Sequence, residues 1–228
     1  MIESKNCWLK NNCKKAHCDD VNGCLILFKL NYLYDKALIP LKLRYPISLR
    51  TDADGTDRDK FIQLKSIQDN IVNFVEEGRQ LYIYSSQVGN GKSSWAIRLV
   101  QSFFNKIWFS TKLKCRALFI SVPRFLLALK DNISTKSDYI QHIKENILDA
   151  DLVVWDDISS KVGTEFEISN LLSLIETRLN EGKANIYTSN ISPEDLGKYL
   201  DIRLSSRIGT GSSIIELRGG DKRGLINE

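Results

Sequence analysis

The chain alternates between short apolar runs and longer stretches whose apolar positions recur every three or four residues. Phe61, Leu64, Ile67, Ile71, Phe74 and Val75 have helical spacing and predict a helix over 61–77, ended by Gly78. The run Leu81-Tyr82-Ile83-Tyr84 predicts a strand over 80–85, and a helix over 92–109 follows. Arg116 to Val122 reads as the next strand, with Pro123 where a helix can start. Ser137 caps a helix over 138–148. Leu152-Val153-Val154-Trp155 and Asn185 to Ser189 are two more apolar strands, separated by another helix, and a short helix and a last strand close the order. Apolar strands alternating with helices predict an α/β fold, a parallel sheet covered on both faces.

The first of these strands runs into Ser86-Gln87-Val88-Gly89-Asn90-Gly91-Lys92-Ser93-Ser94. A strand that enters a Gly-rich loop ending in Gly-Lys-Ser builds a phosphate cradle. Backbone N–H groups of the loop and the following helix start point at the anion. Lys92 would reach the β- and γ-phosphates, and the Ser93 hydroxyl would ligate Mg²⁺. Gly89, Asn90, Gly91 and Ser94 complete the candidate nucleotide-binding set. Ser86 stands where the usual pattern has its first Gly, which is tolerated if φ there is negative.

Leu152 to Trp155 ends in Asp156-Asp157, at the mouth of the sheet where open α/β folds bind ligands. Asp156 is the candidate Mg²⁺ ligand with Ser93, and Asp157 the group that orients and deprotonates the attacking water. The later strand ends in Thr188-Ser189-Asn190 and is a candidate to lie between the acidic strand and the loop strand. Asn190 would then hydrogen-bond the γ-phosphate or the water. Together these features predict a P-loop NTPase.

Composition changes this picture only at the start of the chain. With 43% hydrophobic and 26% charged residues, the 228-residue chain suits one ordinary domain plus a small appendage. No stretch approaches the length of a membrane span and the start is unlike a signal peptide, so a cytoplasmic location is expected, in a bacterial cell or a phage-infected host. Residues 1–45 carry eight Lys/Arg against four acids and hold the whole net charge of +4. Such an excess suits nucleic acid or an acidic partner surface, or is simply solvated.

Four of the five cysteines, Cys7, Cys13, Cys18 and Cys24, also fall in this stretch. In a reducing compartment a thiol cluster points to metal. Four thiolates would make a structural Zn²⁺ site, with His17 able to replace Cys18; an iron–sulfur cluster or unliganded thiols are the alternatives. Asp52 to Asp57 reads as an exposed turn. Gln63 stands where a calcium loop needs Glu, which rejects calcium there.

At this point the chain resembles a known group. The loop, Val153-Val154-Trp155-Asp156-Asp157, the helix Asn170 to Leu179 with Arg178, and Ile186-Tyr187-Thr188-Ser189-Asn190 look like the AAA+ ATPases of the DnaC/DnaI helicase-loader and IstB transposition-helper clade. The resemblance covers about residues 46–228. It implies an AAA+/ASCE fold without a helical lid, preceded by a small Cys-rich N-terminal domain over 1–45. It also implies homo-oligomers with ATP between subunits. By the same resemblance Arg207 matches the arginine finger, and Arg223 lies in the terminal signature and would touch nucleotide or a neighbour. Asp157 replaces the Glu usual in the clade. Being one methylene shorter, it implies slow hydrolysis that Asp157→Glu would raise.

The resemblance implies an ATPase that loads a replicative helicase onto single-stranded DNA, with residues 1–45 gripping the helicase. An ATP-binding adaptor with little hydrolysis, or an IstB-like transposition helper, is the alternative, and a small-molecule phosphoryl transferase is disfavoured because no acceptor pocket is legible. Phe103, Phe104, Lys106, Trp108, Phe109, Lys112 and Lys114 mix basic and aromatic groups as a DNA contact requires. The lysines are the expected phosphate contacts, while most of the aromatics are expected in the core.

Overall fold

The computed structural model describes residues 7, 24–45, 49, 55–131, 137–159, 164–198 and 202–222. Five parallel strands, β1 (Gln80–Tyr84), β2 (Ala117–Ser121), β3 (Leu152–Asp156), β4 (Ala184–Ser189) and β5 (Ser212–Glu216), form one sheet. Their order is β2-β3-β4-β1-β5. The strand ending at Asn190 thus lies between the loop strand β1 and the acidic strand β3, as the sequence predicts.

Alternate strand residues face opposite layers, because successive side chains of a strand point to opposite sides. Leu81, Ile83, Leu152, Val154 and Ile186 pack against α1 (Leu25–Lys36), α2 (Arg58–Asp69), α3 (Ile71–Glu76) and α4 (Lys92–Ile107). Tyr82, Val153, Trp155 and Tyr187 face α5 (Val122–Asp131), α6 (Asp138–Asn146), α7 (Glu165–Asn180), α8 (Pro193–Leu196) and α9 (Ile202–Gly211). The molecule is a three-layer sandwich, and the mouth of its sheet lies at the strand ends that carry the loop and the acids.

Several local expectations hold. Pro123 sits in the first turn of α5, and the Ser137 hydroxyl accepts from the Ile140 N–H to cap α6. The expected helix 61–77 is instead two helices, broken at Asn70 (φ −111°, ψ 24°). There the Asn70 side chain and backbone both donate to the Ser66 carbonyl, the local competition that makes Asn a poor helix interior.

Residues 25–44 lie in the stretch that composition groups with the cysteines, yet they pack into the core of the α/β sandwich. Leu27, Leu30, Leu33 and Tyr34 of α1 belong to the same apolar cluster as Leu81 and Ile83. Ala37 O accepts from Phe119 N–H at 2.9 Å, so the end of α1 covers part of edge strand β2. Cys7 and Cys24 are half-buried against this cluster. Cys13, Cys18 and His17 lie outside the described residues. Among the described residues no three metal-ligating side chains gather as a metal site, no helix is long and apolar enough to cross a membrane, and no helix follows β5.

Candidate active site

The phosphate loop leaves β1 and opens α4. Gly89 (φ +78°) and Gly91 (φ +102°) take left-handed backbone that favours glycine, whereas Ser86 does not. This is why Ser substitutes for the first loop Gly here without strain. Residues 88–94 line a cavity with Asp156, Asp157, Thr188 and Asn190, which brings the loop, the acidic pair and the β4 end to one opening. Lys92 is buried and its ammonium donates to Gln87 O at 2.9 Å, with Asn90 Oδ1 and Ser85 O farther off at 3.4 and 3.5 Å. A phosphate entering the cradle would replace these neutral acceptors with a charged one, a stronger bond.

Ser93 and Asp156, the proposed magnesium pair, line the same opening, and the Ser93 hydroxyl acts to lower the Asp156 pKa. The Asp156 carboxylate accepts from Thr188 Oγ1 at 2.7 Å. Burial raises the Asp156 pKa above the ordinary carboxylate range despite these two hydroxyls, and the neighbouring Asp157 charge adds to the rise. A hydroxyl and a desolvated carboxylate lining one opening are oxygen donors of the kind a hard divalent cation takes, so the residues fit Mg²⁺.

Asp157 has φ +58°, one of two described non-glycine residues with positive φ. Its N–H donates to Thr188 Oγ1 at 2.9 Å and its Oδ1 accepts from Asn190 Nδ2 at 3.0 Å. Asn190 is itself oriented by its N–H to Ser159 Oγ at 3.0 Å. Thr188 is therefore the hub between both acids and β4, a role sequence reasoning missed. The signal was present, since a hydroxyl two residues before the strand-end Asn faces the same side of the strand.

Arg207 lies on α9, exposed, with its guanidinium 3.4 Å from the Glu176 carboxylate of α7. It does not line the cavity of its own chain. Arg223 lies outside the described residues. Arg178, singled out by the resemblance, is fully buried and far from the opening in role. It donates to Asn185 Oδ1 and to the carbonyls of Ile147, Ala150 and Ala184, and burial pushes its pKa down to about 10.

Of the basic–aromatic group, Phe103 and Phe104 are core residues, whereas Phe109 is 66% exposed. Lys106, Lys112 and Lys114 are exposed, and Lys106 donates to Asp69 O. The Tyr32 hydroxyl donates to Leu113 O at 2.9 Å, and Lys36 sits over the Tyr32 ring, so α1 adds to this basic face.

Comparison with solved structures gives the same fold. The DnaC helicase loader matches with a TM-score of 0.60 at 18% identity, over 75% of this chain and 94% of that one. A putative primosome component from Streptococcus pyogenes serotype M3 matches with a TM-score of 0.60 at 19% identity, over 84% and 98%. The replication initiator DnaA bound to AMPPCP and single-stranded DNA matches with a TM-score of 0.56 at 21% identity, over 75% of this chain and 48% of that one. No curated protein matches the chain. The family model of the bacterial DnaA ATPase domain matches residues 64–215, about two thirds of the sequence, from α2 through the sheet to β5. On that match, and with loop, acids and strand order in the P-loop AAA+ arrangement, the chain belongs to the bacterial DnaA ATPase-domain family.

Proposed function

We propose that the protein is an ATP-dependent loader that places a replicative helicase onto single-stranded DNA at replication initiation. The observation that carries the reading is the joint placement of Lys92, Ser93, Asp156, Asp157 and Asn190 around one opening, in a chain of the DnaA ATPase-domain family whose fold is also that of the DnaC helicase loader. In this reading the loop holds the triphosphate and Ser93 with Asp156 holds Mg²⁺. Asp157, aligned by Asn190, takes the proton of the attacking water. Arg207 serves the site of a neighbouring subunit, where a guanidinium offsets charge on the transferring phosphoryl group; its exposure on α9 is compatible with that reach. The part of residues 1–45 that precedes α1 contacts the helicase, with Cys7, Cys13, Cys18 and Cys24 as zinc ligands.

The exposed Phe109 with Lys106, Lys112 and Lys114 is the single-stranded DNA contact in this reading, through stacking and phosphate charge. Such binding weakens steeply with salt. A second reading, an ATP-binding adaptor with little hydrolysis, is favoured by one observation. Asp157 is tied to Asn190 and to Thr188 and is a short side chain for reaching a water.

The test is ATP binding and turnover by the full chain, with and without single-stranded DNA, alongside Lys92→Ala. The loader reading expects turnover that DNA stimulates and that Lys92→Ala abolishes, with ATP affinity falling about a hundredfold in the variant. Tight binding without turnover in any condition selects the adaptor. No binding by the wild-type chain overturns both.

A further inference from the structure

Asp57 stands at the position where an acidic side chain ordinarily caps a helix, yet it makes no side-chain cap bond to α2. The sequence reads this stretch as an exposed turn; Asp57 is instead 3% exposed. Its carboxylate is spent on the chain that follows β5. Oδ1 accepts from the Arg218 N–H and Oδ2 from the Gly219 N–H, both at 2.8 Å.

That segment continues along the phosphate loop. The Leu217 N–H donates to Tyr84 O at 2.8 Å, and Leu217 O accepts from the Asn90 side chain at 3.2 Å. The Lys222 N–H donates to Gly89 O at 3.0 Å. The approach at Gly89 is close enough that a Cβ there would lie 1.9 Å from the Asp221 carboxylate. Residues 217–222 thus form a strap that holds two consecutive loop residues, and Asp57 anchors the strap at its base.

The anchoring has a consequence for the cradle. Across a trans peptide the carbonyl of one residue and the N–H of the next point to opposite sides. A strap that takes Gly89 O therefore turns the Asn90 N–H away from itself. A phosphate loop works through successive N–H groups held in a fixed convergent arrangement, and Asn90 is held twice, through this peptide and through its own side chain.

We propose that Asp57 is a positioning residue for nucleotide binding, acting through the 217–222 strap to fix Gly89 and Asn90 in the conformation that receives a triphosphate. The inference rests on the reading of the loop as the ATP site. The test compares the full chain with Asp57→Asn, which leaves one of the two N–H groups facing an amide instead of a carboxylate oxygen. Lys222→Pro, which deletes the N–H that holds Gly89, and the double variant complete the set.

Affinity for a fluorescent ATP analogue and amide hydrogen exchange across residues 87–91 are the readouts. Each single variant is expected to weaken binding about tenfold. The double variant should be no weaker than the worse single one, because both act through one strap. Exchange across 87–91 should quicken in all three. Wild-type affinity in the variants, or losses that simply add, overturns the proposal. If the wild-type chain itself binds no analogue, the ATP reading fails, and the exchange rates alone decide whether the strap holds the loop. Should Asp57→Asn not fold, Lys222→Pro decides in the same way.

Discussion

Strand β4 carries an Asn near each end, and the two are used in opposite ways. Asn185, at the start, is fully buried. Its Oδ1 accepts from Trp155 Nε1 at 3.1 Å and Arg178 Nε at 2.8 Å, and its Nδ2 donates to Gln80 Oε1 and Lys183 O at 3.0 Å. Every polar atom of that amide has protein partners. Asn190, just past the other end, is half-buried, borders the cavity and helps hold an acid with a left-handed backbone beside a second, desolvated acid. The first cluster is closed and balanced. The second keeps two carboxyl groups together at an opening, an arrangement that opposes folding and suits a site that binds a cation. What separates structure from site in this strand is not residue type but whether the hydrogen-bonding capacity is already consumed.

The largest effect that would test the comparison lies in the closed cluster. Arg178→Met should remove the side-chain donors to Ile147 O, Ala150 O and Ala184 O in a buried site. A loss of roughly 3–5 kcal/mol in denaturant unfolding is expected. ATP affinity measured on the folded protein should stay near that of wild type. A variant that is equally stable, or one that is stable but loses ATP, would erase the distinction between the two ends.

The open cluster should respond with the opposite sign. The folded-state pKa of Asp156 is raised, so the ionised carboxylate opposes folding. Its contribution to stability is present below the unfolded pKa, near 3.8, and is lost as pH rises through the higher folded value. At neutral pH, Asp156→Asn should therefore raise the melting temperature of the nucleotide-free chain. The same substitution should remove the Mg²⁺ dependence of ATP binding. A lower melting temperature would mean that the Thr188 bond outweighs burial.

Much of this was legible in the chain because it is local. The loop, the acid pair and the strand-end Asn are each contiguous, and the alternation of apolar strands with helices placed them at one edge of a parallel sheet. What was not legible depends on distant partners or on single residues. Asp57 meets a segment more than 160 positions away, so its turn-like neighbours concealed a buried anchor. The break at Asn70 turns on one side chain competing for one carbonyl. Helix α1 has apolar positions at Leu27, Leu30, Leu33 and Tyr34, but basic residues and cysteines dominate the composition around it. Thr188 carried a signal in its spacing from Asn190, but its bonds to Asp156 and Asp157 depend on β3 lying beside β4.

The smallest expected effect is the most informative about turnover. Asp157 replaces the Glu that the loader clade would lead one to expect, and its backbone lies at φ +58°. Short polar side chains such as Asp tolerate that region better than longer ones. Asp157→Glu would lengthen the reach of the carboxylate toward a water by one methylene and loosen its bond to Asn190, while adding backbone strain. The two effects act on different measurements. Turnover of ATP should rise severalfold at saturating substrate, and the melting temperature should fall by about 2 °C. Higher turnover with this small loss would assign the short side chain to a slow, assembly-paced ATPase. Unchanged or lower turnover would mean that the Asn190-held geometry, not reach, sets the rate, and that the left-handed Asp is the form this site is built around.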